Sequence, residues 1–367
     1  MNENLKNAMV RGSIMKRTWC PSCFKVITWE TSDIEKNNKI TCPTCKAAIN
    51  YAKAEIIFKD YLENDDIKTV VNGIAYQEDQ IQNALDTFSE QGGNLILNSD
   101  ISTEKQLLID GKEAVIDLNG HNLTLSKFPI KAKVGSNLTI KGTGKIIAEK
   151  DFLQCYKSNI TINGGEIEAA EWGIAAYSES RIVMNDGKIT SKEGCITPYD
   201  KSTFVMNGGR ITSTDNYAIG TSGTKSENGR PKTIIINGGH IYSKKPSTEG
   251  YISCGIYLAS DAKITLNGGD INSLYGCGIL MRAGTLTCNK CTISGAGGKE
   301  VQGKVGDSQQ LIKCNAIAYD TLSNYPDKNT LKVIVNGGRL TSPVDKIGLY
   351  INPDEKPNII NKLEKSS

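Results

Sequence analysis

The sequence predicts an all-β protein whose main body is a parallel β-helix built from coils of about 22 residues. Two observations lead to this fold: a short Asn-Gly-Gly phrase recurs along the chain, and apolar residues occupy fixed positions around each copy. The composition agrees, because 38% hydrophobic and 6% aromatic residues with 36 glycines suit thin, regularly turning β structure. An all-helical protein is disfavoured.

The asparagine that opens each phrase marks the register of one coil. Successive markers are separated by 22, 22, 30, 30, 22 and 47 residues. We interpret 22 as one coil, 30 as a coil with about eight additional loop residues, and 47 as either two coils, one of them degenerate, or a long insertion. Asn119 and Lys141 are expected to extend the register upstream. The markers are Asn163, Asn185, Asn207, Asn237, Asn267, Asn289 and Asn336.

Three apolar columns accompany the markers, at three residues before, one residue before and four residues after each asparagine. The residues between them are mostly polar, which is the alternation of a strand with one buried and one solvated face. In a stack of coils each marker asparagine would bond to the next through its side-chain amide. The columns are Ile160, Ile182, Phe204, Ile234, Ile264, Leu286 and Val333; Ile162, Met184, Met206, Ile236, Leu266, Cys288 and Val335; and Ile167, Ile189, Ile211, Ile241, Ile271, Ile293 and Leu340.

A short helix is predicted to cover the open edge of the first coil. Within residues 78–88 the apolar Ile81, Ala84, Leu85 and Phe88 fall at helical spacing, and two glycines follow as a stop signal. An uncovered strand edge invites pairing with other chains, so a stack of coils needs such a cap. We therefore divide the chain into a domain over residues 1–57, a linker and capping helix over 58–93, the β-helix over 94–350 and a C-terminal tail over 351–367.

Two Cys-Pro-x-Cys motifs contain Cys20, Cys23, Cys42 and Cys45, with 18 residues between the motifs. Paired motifs at this spacing are typical of a four-cysteine zinc site, because each tight turn offers two thiolates on one side. Four thiolates fill a tetrahedral coordination sphere, so the predicted cofactor is one structural Zn²⁺ per chain, in a zinc ribbon. A pair of disulfides or a dithiol redox site is the alternative.

Seven further cysteines lie outside these motifs. Several stand beside apolar residues of the repeat, which favours free thiols packed as small hydrophobes in a protein folded in a reducing cytosol. Cys288 and Cys291 form a third C-x-x-C, but one falls in an apolar column and the other at a glycine position, so we give them the same interpretation. The seven are Cys155, Cys195, Cys254, Cys277, Cys288, Cys291 and Cys314.

Charge and hydropathy exclude some partners. The 43 Lys and Arg against 40 Asp and Glu give a net charge of +3, which is too weak a field to favour nucleic acid as the main partner. The N-terminal residues contain no apolar run behind their basic residues, and no run of 18 apolar residues occurs anywhere. We expect no signal peptide, no membrane partner, and folding in the cytoplasm.

The order of elements carries a family resemblance. A helix, then Gly-Gly-Asn-Leu-Ile-Leu at 92–97, then Ala-Val-Ile-Asp-Leu-Asn-Gly-His at 114–121, then the Asn-Gly-Gly coils resembles right-handed β-helix proteins of the pectate-lyase-like superfamily, over roughly residues 70–350. The resemblance implies a right-handed coil. It says little about activity, since the superfamily includes polysaccharide lyases, hydrolases, adhesins and fibre, spike or decoration proteins of bacteriophages.

No catalytic site is predicted. Enzymes on this scaffold place acidic residues, often with calcium, Arg or Lys, on neighbouring coils. Here the exposed position after each phrase mixes charges and holds no adjacent carboxylate pair, which indicates a solvated face. His121 and His240 lack such acidic clusters, so we assign no catalytic or cofactor-binding residue. The exposed positions are Glu166, Lys188, Arg210, His240, Asp270, Thr292 and Arg339.

Aromatic residues near the longer loops are candidates for sugar stacking, although scattered tyrosines are more often surface packing. The insertions predicted at about residues 215–232, 243–253 and 295–313 are the expected contact sites, because loops on a rigid stack vary freely. The aromatic candidates are Trp172, Tyr177, Tyr199, Tyr217, Tyr242, Tyr251, Tyr257 and Tyr275.

The leading functional hypothesis is a non-enzymatic structural protein of a bacteriophage virion: a capsid decoration, head fibre or tail-spike component. Virions assemble inside the cell and leave by lysis, so their exposed β-helices need neither a signal peptide nor disulfides. The zinc ribbon would anchor the chain to other capsid or tail proteins, and the exposed coils would meet host surface glycans. Fibres and spikes of this kind are commonly homotrimers, which is the oligomer that the resemblance implies.

Two alternatives stay open at this point. One is a bacterial glycan-binding or polysaccharide-degrading β-helix protein, which the superfamily and the tyrosines favour and the expected lack of a signal peptide disfavours. The other is an intracellular scaffold whose zinc ribbon docks a protein or nucleic-acid partner, with the β-helix as a rigid spacer.

Overall fold

The computed structural model describes residues 15–19, 22, 26–30, 39–50, 67–221, 232–244, 254–295, 303–304, 311–312, 315–320, 327–342, 346–350 and 358–362. Most of these residues form an all-β, right-handed solenoid of about nine turns with one short α-helix. The parallel β-helix predicted from the repeat is therefore confirmed. Within the described ranges, no helix is long and apolar enough to cross a membrane.

Each coil contributes up to three strands, and equivalent strands of successive coils pair in parallel. We call the three stacks the first, second and third columns. The first contains Gly93–Leu97, Glu113–Asp117, Asn137–Lys141, Thr203–Met206, Lys232–Ile236, Ala262–Leu266, Thr285–Cys288, Lys332–Val335 and Asn358–Asn361. The second contains Ile101–Thr103, His121–Leu125, Gly144–Ala148, Arg210–Ser213, His240–Ser243, Asp270–Ser273, Thr292–Ser294 and Arg339–Thr341. The third contains Leu108–Ile109, Ile130–Ala132, Leu153–Tyr156, Ile174–Tyr177, Ile196–Pro198, Ile219–Gly220, Cys254–Leu258, Cys277–Met281, Ile317–Asp320 and Ile347–Tyr350.

Two long strands, Asn159–Ala169 and Arg181–Ser191, run through both the first and the second column. Their pairing is interrupted by register shifts at the Asn-Gly-Gly phrase. Elsewhere the same phrase separates two shorter strands, so the phrase marks the bend between the first and second columns.

The interior of the solenoid is built from the three apolar columns that the repeat predicts. Every residue in those columns is buried, and all belong to one continuous core. Stacking places Ile over Ile across neighbouring coils, for example Ile167 with Ile189 and Ile189 with Ile211. Burying each such side chain contributes about 1.5–3 kcal/mol relative to leaving it exposed.

The marker asparagines form a continuous ladder of side-chain amides. From Asn185 to Asn336, each Nδ2 donates to the Oδ1 of the preceding marker at 2.7–3.0 Å. This ladder, which the sequence predicted, confirms the register of seven coils. The glycines that follow allow the close approach, since a Cβ on Gly209, at φ +82°, would lie 2.6 Å from the Gly187 carbonyl oxygen.

The 47-residue step is one coil with a long insertion. Lys332–Val335 pairs directly with Thr285–Cys288, and Asn336 bonds to Asn289 at 2.9 Å. No additional described coil lies between these two strands. Two short strands within the insertion, Gly303–Lys304 and Leu311–Ile312, pair antiparallel with each other.

Lys141 extends the register upstream as predicted, since Ile140 pairs with Ile162, but the assignment of Asn119 was wrong. Lys141 pairs with Asp117 rather than Asn119, and its ammonium lies 2.7 Å from the Asp117 carboxylate. Asn119 sits two residues further on, in the turn at φ 47°, where its side chain donates to the Leu97 carbonyl. The predicted 215–232 insertion also contains Ile219–Gly220, a regular strand of the third column, because Ile219 stacks on Ile196.

The N-terminal edge of the solenoid is covered as predicted by a helix, and also by a hairpin. The helix Ile81–Gln91 follows a 3₁₀ turn at Glu78–Gln80, buries its apolar face, and ends at Gly92 with φ 70°. The hairpin Thr69–Val71 and Ile74–Tyr76 pairs antiparallel with Gly93–Leu97. The segment described from the sequence as a linker and helix therefore also supplies an edge strand.

The coils continue further towards the C-terminus than the sequence indicated. Asn358–Asn361 pairs in parallel with Lys332–Val335, which places Ile359 on Val333. The residues beyond 350, predicted as a tail, thus contain a strand of the first column. Another 3₁₀ turn, Lys328–Thr330, precedes Lys332–Val335.

Interior members of the asparagine ladder should contribute more stability than terminal ones. Asn207→Ala removes two amide hydrogen bonds, to Asn185 and Asn237, and we expect a loss of about 1–2 kcal/mol because one such bond contributes about 0.5–1.5 kcal/mol. The matched control is Asn336→Ala, which removes the bond to Asn289 at the last marker. Guanidinium unfolding would measure both, and equal losses would contradict an additive ladder.

Candidate functional site

Cys42 and Cys45 lie in the turn between the antiparallel strands Lys39–Thr41 and Ala48–Asn50. The turn is tight, with the Cys42 amide donating to the Ala47 carbonyl and the Lys46 amide donating to the Cys42 carbonyl, both at 2.9 Å. Cys42 is buried and Cys45 is exposed. A tight turn carrying two thiols suits half of a four-cysteine metal site.

The other predicted ligands, Cys20 and Cys23, lie outside the described residues. They fall in sequence between two antiparallel strands, Met15–Trp19 and Val26–Glu30, so each C-x-x-C motif is bracketed by a hairpin. Over the described part of the chain, no group of three or more His, Cys, Asp or Glu side chains is arranged to hold a metal.

Four cysteines of the solenoid are buried thiols, as predicted for small hydrophobic residues. Burial raises the pKa of Cys155 and of Cys195 to about 12, and it raises the pKa of Cys277 well above its ordinary value. Cys254 is buried beside Cys277 in the next coil. The thiols of Cys155, Cys195 and Cys277, held protonated by burial, are therefore poor nucleophiles.

The third C-x-x-C differs from its prediction. Both cysteines are buried as expected, but Cys288 and Cys291 are joined by a disulfide instead of remaining free thiols. The residue that replaces glycine after the marker Asn289 brings a second sulfur into reach of the inward-facing Cys288. The spacing alone gave no reason to choose between the two states.

The solvated face beside the phrase is a network of cross-coil ion pairs. Lys145 lies 2.9 Å from Glu168, and Lys188 lies 3.3 Å from Glu166. The hydrogen bond with Glu168 raises the pKa of Lys145. The change of charge sign from coil to coil, which the sequence showed, therefore provides complementary neighbours.

Both histidines contact a carboxylate in an adjacent coil. His240 Nδ1 lies 3.1 Å from Asp270, and His121 Nδ1 lies 3.7 Å from Asp100. All four side chains are at least one third exposed. The two pairs belong to the same surface pattern, in which side chains of neighbouring coils contact each other along the stack.

Three tyrosines stand at one position of three consecutive coils, at the end of third-column strands. The rings of Tyr156 and Tyr177 are stacked at 4.8 Å between centroids, and those of Tyr177 and Tyr199 at 4.6 Å. Their planes deviate from parallel by only 10° and 6°. We call the stack of Tyr156, Tyr177 and Tyr199 the tyrosine face.

A second aromatic group continues along the same column. Trp172 lies 6.2 Å from Tyr217, and Tyr217 stacks on Tyr257 at 5.5 Å. The guanidinium of Arg282 lies over Tyr257 at 5.6 Å from its centroid, close enough for a cation–π contact. Five of the aromatic candidates therefore gather along the third column, namely Trp172, Tyr177, Tyr199, Tyr217 and Tyr257. Tyr242 is on the second column, Tyr275 lies in the bend before Cys277–Met281, and Tyr251 lies outside the described residues.

The third column is open at one end and covered at the other. Tyr156, Tyr177, Tyr199 and Trp172 are partly exposed. In the later coils the outward positions are buried: Leu280 and Ala318 form a small second core with Cys254 and Cys277. Arg282 and Asp320 are 2% and 0% exposed and lie 3.6 Å apart.

The sequence analysis did not single out Tyr156, nor the alignment of Tyr156, Tyr177 and Tyr199 that forms the stack. The signal was present, since Tyr156, Tyr177 and Tyr199 are separated by 21 and 22 residues. It becomes visible only when the third column is put in register, because these residues are outside the Asn-Gly-Gly alignment. The predicted contact loops lie largely outside the described residues.

Comparison with protein-family models, with curated proteins and with solved structures finds no match for this chain.

The raised thiol pKa values should make the protein less stable at alkaline pH. Cys155 and Cys195 have a pKa of about 12 in the fold and an ordinary value of 9.0, so between these pH values the unfolded chain releases protons that the folded chain retains. The free energy of unfolding should fall over this range, by up to about 1.4 kcal/mol per pH unit for each thiol.

Denaturant unfolding between pH 7 and pH 11 would test this, with Cys195→Ala as the comparison that removes one titrating group. The variant should show a shallower alkaline loss than the parent chain. Identical slopes would contradict a buried, protonated Cys195.

Proposed function

We propose that this chain is a non-enzymatic structural protein of a bacteriophage particle, in which the N-terminal cysteine module is the anchor and the solenoid is the exposed part. The observation that carries the proposal is how the solenoid uses its reactive side chains. Both histidines and several lysines pair with carboxylates of neighbouring coils, and the described solenoid cysteines are buried. They build a rigid stack and do not converge on a reaction centre.

The form of the stack supports a display role. Its core and asparagine ladder continue from coil to coil, so the body resists bending as a unit. The cap shields the N-terminal strand edge from pairing with other chains. Cys155, Cys195, Cys254 and Cys277 are buried free thiols, which suits folding inside a cell, where a phage protein is made and assembled. The Cys288–Cys291 disulfide lends no support to this argument. Other capsid or tail proteins are the partners this proposal requires.

The anchor is proposed to be a zinc ribbon with Cys20, Cys23, Cys42 and Cys45 as ligands. The support is the tight turn that holds Cys42 and Cys45 between antiparallel strands, together with the matching hairpin around the other motif. Bound Zn²⁺ would fold the module and leave no open coordination position for catalysis. The module and the solenoid are proposed to fold separately.

Zinc content tests the anchor. We expect one zinc per purified chain, lost in Cys42→Ser because three thiolates hold the ion much less tightly. Metal analysis by mass spectrometry would measure this, with Cys195→Ala as a control that keeps the metal. The circular dichroism of the coils should be unchanged in Cys42→Ser. A zinc-free parent chain, or collapse of the coils with the metal, would contradict the two-module scheme.

Particle association tests the function as a whole. Phage particles purified from lysed producer cells should contain the chain by mass spectrometry. Particles from a deletion strain, imaged by electron cryomicroscopy, should lack density at a head or tail position that the parent particles show. Unchanged particles without the chain would rule out the proposal and favour a glycan-binding or scaffolding protein of the cell itself.

A further inference from the structure

Two free thiols meet across neighbouring coils at the covered end of the third column. Cys254 and Cys277 are the first residues of the parallel strands Cys254–Leu258 and Cys277–Met281, and each is the register partner of the other. Both are buried, and neither is part of a disulfide. The same position of two successive coils thus carries a cysteine.

The register brings these two thiols within reach of a disulfide bond. Neighbouring strands lie about 4.8 Å apart, and disulfides join residues whose Cα atoms are about 4.4–6.8 Å apart. Register partners in parallel strands project their side chains in the same direction, and both thiols enter the small second core. A hydrogen bond joins the thiol of Cys277 to that of Cys254. The two sulfur atoms are therefore already in contact.

The backbones of the two coils also pack closely beside the thiols. Each cysteine is followed by a glycine, Gly255 in one coil and Gly278 in the next. A Cβ on Gly255 would lie 3.0 Å from the Gly278 carbonyl oxygen and 2.7 Å from the Ile271 side chain. Since any larger residue would collide with its surroundings, the glycines preserve the close approach that an S–S bond requires.

The second core shields the pair from solvent. Leu280 and Ala318 complete this core, and Tyr217 and Tyr257 pack against it. Burial is the main reason that the pKa of Cys277 is raised well above its ordinary value. Because the thiolate is the reactive form of cysteine, oxidation at this site is expected to be slow. A reducing cytosol would leave the pair as thiols, and sustained contact with an oxidant would close it.

Hydrogen peroxide supplies a balanced route to the bond. One thiolate attacks a peroxide oxygen and becomes a sulfenic acid, and the departing hydroxide takes up the thiol proton and leaves as water. The second thiol then attacks the sulfenic sulfur, which forms the S–S bond and releases another water. The two sulfurs together lose two electrons, and one peroxide is reduced to two waters. Peroxide is uncharged and little larger than water, which suits entry into a buried site.

We infer that Cys254 and Cys277 are an oxidation site, at which peroxide closes a disulfide that ties two neighbouring coils together. At the other end of these strands, the buried pair Arg282 and Asp320 joins neighbouring coils by charge. The disulfide adds a covalent link at the end where the strands begin. Bond formation goes beyond the proposed function, and only its occasion, the release of a particle into an oxidising medium, rests on that function.

Peptide mapping of the full chain tests the inference. The reduced chain is incubated with hydrogen peroxide, the remaining thiols are alkylated in denaturant, and the product is digested with trypsin. Lys263 lies between Cys254 and Cys277, so the two cysteines fall in different peptides unless a disulfide joins them. We expect the joined peptides, which dithiothreitol should separate. Oxidation should also raise the melting temperature by about 5 °C more in the parent chain than in Cys277→Ala.

Two other buried thiols provide matched controls. Burial raises the pKa of Cys155 and of Cys195, as it does for Cys277, but the register partners of Cys155 are Ala132 and Ala176. Both thiols should still be alkylated after the peroxide treatment, and Cys195→Ala should leave the joined peptides unchanged. Circular dichroism of the variants should match that of the parent, because each substitution removes a single buried sulfur.

The inference fails if Cys254 and Cys277 are both recovered as alkylated thiols after prolonged treatment. It also fails if either becomes a sulfinic acid in place of the disulfide, or is joined to a different cysteine. Particle analysis separates these outcomes from the proposed function. Absence of the chain from phage particles would reject the virion role without changing the peptide map of the purified chain. Particles that contain the chain but show no joined peptides after peroxide treatment would reject the disulfide and leave the virion role standing.

Discussion

Parallel pairing of successive coils is the constraint on which the rest of the structure depends. Every position of a coil lies about 4.8 Å from the same position in the coils above and below, so each residue must be compatible with its own equivalents. Isoleucine satisfies this in the core by packing on isoleucine, and asparagine satisfies it at the bend by bonding to asparagine. On the surface, Lys and Glu alternate, and tyrosine rings stack.

The same constraint explains how a repetitive body can acquire a specialised surface. Replacing a residue in one coil changes only one position in a stack. Similar residues at the same position of several consecutive coils form a continuous surface feature along the axis. The tyrosine face arises in this way from three strands of the third column. In the later coils the outward positions change from partly exposed aromatic residues to a buried second core, and Arg282 and Asp320 are buried as a pair at the ends of the same strands. One column thus has an open half and a covered half.

At its N-terminal side the stack of coils ends in a cap made of a hairpin and a helix. The hairpin at 69–76 pairs antiparallel with the first coil, and the helix at 81–91 plugs the core beneath it. Antiparallel pairing at this edge interrupts the parallel pattern and prevents another coil from being added. The two cysteine motifs precede this cap in the sequence, which is consistent with a module that is separate from the solenoid.

The sequence by itself determined the architecture, because a period of 22 residues with alternating apolar positions leaves few other folds, and the inward columns and asparagine ladder followed from the alignment. It also located the capping helix through helical spacing and glycine. Tertiary structure decided what periodicity cannot specify: that the 47-residue step is one coil, that Asp117 and not Asn119 keeps the register, and that a strand follows residue 350. It also decided the tyrosine face and the disulfide between Cys288 and Cys291. The physical reason is that these features depend on which residues meet across coils, and insertions of different length make that pairing impossible to read from sequence distance.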